Sequence, residues 1–357
     1  MSDPEQKGRD VAQMEATAAA VTGLIEEEER LAPSPLQRLQ RILHRYPALG
    51  PLLVLAIMMA VFALNAPEKF LTAGNVSLVI QQVAVVGTLA IGQTLIILTA
   101  GVDLSVGAIA VLTSIVMANL SAEFGVPGIA ALLLGFAFGT ACGLLNGLLI
   151  TRLRMPPFIV TLGTLSIFFA LNLFISSGAT VLGSNMDGLL TMPGHIVSIG
   201  GANLTLGAIG MIVLYGVFMY VLRLTRWGRH IYATGDDPES ARLTGIRVDR
   251  VLITVYAVAG LLYAFGAWFL IGRVNAATPQ ALQTANLETI TAVVIGGTSL
   301  FGGRGGVLGT IIGAMIVQTA INGLTIAGFD PLWQRFTIGV LVIFAVALDQ
   351  WIRRVGK

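Results

Sequence analysis

Residues Gly74 to Leu120 constrain the fold more than any other part of this chain. Two apolar runs of membrane-spanning length are separated by little more than Gly101-Val102-Asp103-Leu104-Ser105. A hydrocarbon core about 30 Å thick is crossed by about 20 apolar residues in a helix, and each run supplies that many. The aspartate between them is not suited to lipid. An ionisable group at such a place marks a pairing or functional site. Composition agrees: hydrophobic residues make up 55% of the 357 residues and charged residues 11%, with a mean hydropathy of +0.83. A soluble domain carries about 25% charge. The chain is therefore expected to be an integral membrane protein, with no room for a second folded soluble domain.

Ten apolar segments are readable, at about 47–64, 76–100, 104–121, 127–150, 158–177, 203–223, 251–272, 287–301, 307–326 and 333–350. This predicts an all-α, polytopic membrane protein of about ten transmembrane helices over residues 46–357. Residues 1–45 read as a polar, disordered cytosolic tail without a signal-peptide core, with Glu26 to Glu29 in a row. Placing the N-terminus in the cytosol puts fifteen Lys and Arg of residues 38–357 inside, among them Arg38, Arg41, Arg152, Arg229, Arg247 and Arg304. Only Lys69, Arg273 and Arg335 fall outside. The positive-inside rule thus predicts that both termini are cytoplasmic.

The eighth segment is short and reaches only part-way across at 1.5 Å per residue. It ends in Gly296, Gly297, Gly302, Gly303, Gly305 and Gly306. That pattern predicts a re-entrant or broken helix, tolerated only where protein buries it or water lines it. Ile91-Gly92-Gln93-Thr94 and Ile295-Gly296-Gly297-Thr298 look alike, and each precedes a glycine-rich break. They hint at a duplicated unit. Most of the 42 glycines lie within the spans, where small residues let helices approach closely.

Asp103 and Glu288 are the acids at membrane depth, with Asp349 near the inner end. Either of the first two suits a proton or sodium site. Either also suits a structural role, accepting hydrogen bonds from helix N-termini opened by the adjacent glycines. Asp103 precedes Leu104-Ser105 and a new helix, where a capping carboxylate belongs, and Glu288 likewise starts a helix. Gln81, Gln82, Gln93, Thr94, Asn146, Thr161, Asn172 and Asn322 can line a path for a neutral solute or simply bond helix to helix. The histidines His44, His195 and His230 are scattered, and no metal site is expected. G-x-S-x-G and His-Glu-x-x-His are absent, so an enzyme is not expected. The one cysteine, Cys142, cannot form an intrachain disulfide.

The longest inner loop, 224–250, carries a helix start: Asp236 or Asp237 as cap, Pro238 in the first turn, and Gly245 at the end of about eight residues. Glu239-Ser240-Ala241 followed by Gly245 is similar to the E-A-A-x-x-x-G signature of bacterial ATP-binding-cassette importer permeases. More closely, residues 48–352 resemble the ribose, xylose and fructose class of monosaccharide permeases. The matching stretches are Ala90-Ile91-Gly92 through Gly101-Val102-Asp103-Leu104-Ser105-Val106-Gly107, Asn146-Gly147, Pro156-Pro157-Phe158-Ile159-Val160-Thr161-Leu162-Gly163-Thr164, Ala233-Thr234-Gly235 and Val294-Ile295-Gly296-Gly297-Thr298-Ser299-Leu300-Phe301-Gly302-Gly303. Ala100 stands where that family more often has Gly, and Asp236-Asp237 replaces a usual Gly-Asn.

The resemblance implies a permease in the bacterial inner membrane, acting as a homodimer or with a close relative. Two ATPase subunits would dock under the 224–250 loops, and a periplasmic binding protein would deliver monosaccharide. Asp237, Glu239, Ser240, Ala241 and Gly245 would make the coupling contact, with Ala241 facing the ATPase. Gly101, Asp103, Ser105, Gly107, Asn146, Thr161, Glu288, Gly296 and Gly297 would be structural or pathway residues. The chain itself has no P-loop: its lysines are Lys7, Lys69 and Lys357, none in G-x-x-x-x-G-K-[ST]. It therefore needs no cofactor of its own, and ATP belongs to the partner. The expected surroundings are lipid bilayer and protein, not nucleic acid. An ion-coupled transporter using Asp103 and Glu288, or a permease for another small solute, stands as the alternative.

Overall fold

In the computed structural model, residues 49–199 and 202–355 are described, except for the side chains at 199, 202, 348, 349 and 351–355. The expected tail at 1–45 and the side chain of Asp349 lie outside them. Each apolar segment is helical. In chain order the first six helices are α1 (Leu49–Asn65), the short α2 (Pro67–Phe70), α3 (Ala73–Leu98), α4 (Val106–Ala122), α5 (Gly128–Arg152) and α6 (Pro157–Ser176). After a short outer region come α8 (Leu206–Leu224), α9 (Arg226–Asp236), α10 (Pro238–Leu243), α11 (Val248–Val274), α12 (Ala285–Ile295), α13 (Val307–Ile326) and α14 (Pro331–Val355). Six of the described helices (α3, α5, α6, α8, α11 and α13) are long and apolar enough to cross a bilayer. The apolar parts of α1, α4, α12 and α14 are shorter.

Residues 178–205, read from the sequence only as an outer loop, are structured. They hold strand β1 (Val181–Leu182), α7 (Gly188–Thr191) and a hairpin of β2 (Ile196–Ile199) with β3 (Ala202–Thr205). β1 pairs antiparallel with β4 (Ala276–Ala277), Val181 lying opposite Ala277. The predominantly helical architecture therefore carries two two-stranded sheets. Asp187 ties this region to α5: its carboxylate accepts from Leu189 N at 2.9 Å and from Gly128 N at 3.1 Å. Those backbone donors hold its carboxyl below the usual carboxylate range.

α3 is the axis of the molecule. Of its most apolar stretch 83% is buried, against 28% for α6 and α8. The core gathers Val83, Leu89, Ile91, Leu95 and Ile97 of α3 with Ile109, Val255, Tyr256 and Tyr263. Close approach of α5 and α11 depends on small residues one turn apart. A Cβ at Gly139 would stand 2.9 Å from the Ala264 Cβ, and one at Gly143 would stand 2.9 Å from the Gly260 Cα. Membrane helices pack closely where small residues let their backbones meet.

Candidate functional site

Three features adjoin one another around the C-terminal half of α3. The first is the break between α3 and α4. The last turn of α3 closes on itself through Thr99 N, Ala100 N and Gly101 N, which donate to Ile96 and Ile97 carbonyls. The chain then climbs back along α3, so that Asp103 lies level with Gln93 and with the middle of α11. Asp103 is fully buried. Its Oδ1 accepts from Ser105 N at 2.8 Å and Ser105 Oγ at 2.6 Å. Its Oδ2 accepts from the Tyr263 hydroxyl at 3.2 Å. Asp103 is thus not itself the N-cap residue of α4, as the sequence suggested. That position is Ser105, whose side chain makes no capping bond. The carboxylate instead closes a turn two residues earlier.

Ser105 Oγ also accepts from Asn146 Nδ2 at 2.9 Å, and Thr161 Oγ1 donates to the Val102 carbonyl at 3.1 Å. Gly101, Asp103, Ser105, Asn146 and Thr161 therefore form one buried knot across α3, α5 and α6. Gly107 sits beside it for a steric reason: a Cβ there would stand 2.8 Å from the Leu282 carbonyl oxygen. Tyr256 and Tyr263 belong to the knot and were missed from the sequence. A Cβ at Gly101 would stand 3.0 Å from the Tyr256 hydroxyl, and Gly92 makes room for the Tyr263 ring. Their seven-residue spacing puts them on one face of α11, which is the only signal the sequence offered.

The second feature is the glycine-rich break between α12 and α13. α12 stops at Ile295, where Gly297 takes φ +85°. The expected span of 287–301 is thus an eleven-residue helix and a loop. Gly296 packs directly on Gly309 with no space for a side chain between them. The loop holds its shape through Ser299 N to the Arg304 carbonyl, 3.0 Å, and Gly306 N to Thr298 Oγ1, 3.2 Å. Glu288 lies in the first turn of α12, accepting from Thr284 Oγ1 at 2.6 Å and from Gln318 Nε2 of α13 at 3.0 Å. The two breaks touch, because Gly303 N donates to the Leu98 carbonyl at 3.0 Å. Asp103 and Glu288 belong to separate clusters.

The third feature is the 224–250 loop. α9 rests on the glycine-rich break: the Tyr232 hydroxyl donates to the Gly305 carbonyl at 2.8 Å. A Cβ at Gly235 would strike the Leu98 carbonyl oxygen, so Gly is required there. α10 starts at Asp237, not Asp236. Its carboxylate accepts from Glu239 N at 2.9 Å, Ser240 N at 3.2 Å and Ser240 Oγ at 2.6 Å. Those bonds, the Ser240 hydroxyl first, hold the Asp237 carboxyl below its ordinary range. Gly245 ends the turn at φ +88°, where Gly245 N donates to the Arg242 carbonyl and Ile246 N to that of Ala241.

The helix is six residues long rather than eight, and Ala241 is 4% exposed. The expectation that Ala241 faces outward is corrected. The Ala241 side chain is the one buried on this six-residue helix, so its face turns inward. Leu243, 89% exposed, is the apolar residue that points away. Ala100, flagged as unusual in the sequence, has φ +59°. A glycine at this position would hold that backbone without strain.

The family described as "branched-chain amino acid transport system / permease component" matches residues 75–346. The chain belongs to this permease family. The permease is 46% identical over 324 residues to the fructose import permease protein of Rhizobium meliloti, an alignment covering 90% of each chain. It is 38% identical to the ribose import permease protein of Bacillus subtilis, over 85% of this chain and 92% of that one. Against the galactose/methyl galactoside import permease protein of Escherichia coli it is 33% identical, over 84% and 93%. No solved structure matches it. With its apolar helices and these relatives, the permease is a multi-pass inner-membrane protein.

Proposed function

We propose that this permease is the membrane-spanning subunit of an ATP-driven importer that carries a monosaccharide of the fructose, ribose or xylose class inward. The observation that carries the reading is the near-full-length likeness to relatives named as fructose and ribose import permeases. The whole chain is a transport subunit, with ten transmembrane helices and both termini in the cytosol. Two copies form the pathway, and a periplasmic binding protein delivers sugar to the outer face. Hydrolysis of ATP takes place on separate ATPase subunits. These subunits dock on the 224–250 loop, where α10 offers Leu243 as an apolar contact, rimmed by Glu239, Ser240 and Arg242.

Movement of α10 passes through α9 to the contact of Gly235 and Tyr232 with both helix breaks. Asp103 and Glu288 act as fixed acceptors that hold those breaks together. The alternative is coupling to an ion gradient through the same two carboxylates. Reconstitution separates the two. Vesicles holding the permease, its ATPase and loaded binding protein are expected to accumulate labelled sugar only with internal or external ATP on the ATPase side. Accumulation driven by a proton or sodium gradient without the ATPase would overturn the reading.

A further inference from the structure

We infer that the cavity between α4, α6 and the return segment Pro279–Gln283 is where the sugar touches this subunit on its way through. The inference rests on the monosaccharide reading above. The cavity has a volume of ≈ 330 Å³, at the lower end of the range for small-molecule sites. It is lined by Gly107 and its neighbours on α4, by Phe169 and Asn172 on α6, by Leu282 and Gln283 on the return segment, and by Asn286 in the first turn of α12. No Lys, Arg, Asp or Glu lines it. A neutral sugar presents hydroxyls at its edge and C–H groups on its face. Asn172 offers its Oδ1 as an acceptor, and Gln283 and Asn286 offer their amide N–H groups as donors, their oxygens already accepting from Arg335 Nη2 at 3.3 Å and Leu287 N at 2.9 Å. The Phe169 ring offers an apolar face for the C–H groups.

Two further observations set this cavity apart from a packing gap. Asn172 is 1% exposed, donates Nδ2 to the Pro279 carbonyl at 2.9 Å, and leaves its Oδ1 without a partner. A buried acceptor left unmet is costly and calls for a ligand or water. The return segment is also held under strain. Leu282 takes φ +54°, and its carbonyl oxygen lies 2.8 Å from where a Cβ at Gly107 would stand. Strain of this kind persists where surrounding structure enforces it, and it gathers at ligand-binding and switching sites. Here α4 enforces it through Gly107 and α6 through the Asn172–Pro279 bond.

The test uses full-length permease with its ATPase and binding protein, in a Cys142→Ser background so that one introduced thiol reports. Phe169→Cys places a thiol in the cavity, at a residue that is 44% exposed and so open to reagent. Phe174→Cys, on the same helix at 83% exposure, is the control. A methanethiosulfonate reagent is applied with and without saturating D-fructose and D-ribose. Sugar is expected to slow the reaction severalfold for Phe169→Cys and not for Phe174→Cys, and the attached group to abolish uptake only in the former. If Phe169→Cys fails to reach the membrane, Gln283→Cys on the opposite wall is read in the same way. Labelling rates unaffected by either sugar at both positions, with uptake intact after labelling, would overturn the cavity assignment. Parent permease that carries no monosaccharide in the same vesicles would instead remove the reading on which the assignment rests.

Discussion

Replacing Asp103 separates a structural carboxylate from one that carries an ion. In Asp103→Leu, three buried donors lose their acceptor: Ser105 N–H, Ser105 Oγ–H and the Tyr263 hydroxyl. Each donor left unmet costs about 1–3 kcal/mol, so the variant is expected to lose at least about 3 kcal/mol. Asp103→Asn keeps an oxygen for both Ser105 bonds and turns an N–H toward the Tyr263 oxygen. Its loss is expected to stay within about 1 kcal/mol, the net worth of one ordinary hydrogen bond. Detergent-solubilised protein is unfolded by heat and by denaturant, and vesicles are assayed for ATP-driven uptake. The expected order of stability is parent, then Asn, then Leu well below, with uptake largely retained by Asn. Equal stability of the Asn and Leu variants would refute the accounting of donors. A stable Asn variant that has lost transport would show that the negative charge itself is used, and would favour the ion-coupled alternative.

The 224–250 loop yields three further predictions. Ala241→Trp is expected to unseat α10 within the permease itself, at about 1–3 kcal/mol for an overpacked contact, whereas Leu243→Asp should leave its fold intact and weaken co-purification of an ATPase. Limited proteolysis of the loop together with pull-down distinguishes the two, and a loss of capture without proteolysis for Ala241→Trp would contradict the burial of 241. Gly235→Ala is expected to insert in the membrane yet lose transport, since its Cβ would strike the Leu98 carbonyl. Normal uptake by that variant would mean the junction is not a working contact. The Asp237 carboxyl is held below its ordinary range in the folded loop. Its contribution is therefore in force above the unfolded carboxylate value and fades as pH falls through the lowered folded value. The protection of the Glu239 and Ser240 amides against hydrogen exchange, taken relative to the intrinsic rate at each pH, should fall only at that acid end, and in Asp237→Ala at every pH.

The apolar segments were legible because a bilayer demands long runs, and a run such as 127–150 leaves little choice but the helix Gly128–Arg152. The eighth was misjudged in length, since the apolar stretch continues past Gly297, where the backbone turns to φ +85°. The pairing of β1 with β4 left no trace in the sequence, because strands of two residues have no period to read. Asp103 announced itself by its charge. Its partner did not, since Tyr263 lies 160 positions away inside an apolar run. The capping of α10 was readable from Asp237, Pro238 and Gly245, which act locally. The direction of Ala241 was not, because the face of a six-residue helix is set by what it packs against.

The meeting of Leu98, Gly235 and Gly303 is made by peptide groups, with no side chain between them. Side chains are what exchange when a sequence diverges, while a peptide group is the same in every residue. The joint therefore cannot be retuned by point substitution; it can only be kept or lost. On the function proposed above, differences in cargo and in partner fit belong to side-chain surfaces, the walls of the cavity beside α6 and the exposed face of α10. Either surface can change without altering the joint, because the joint is built from peptide groups alone.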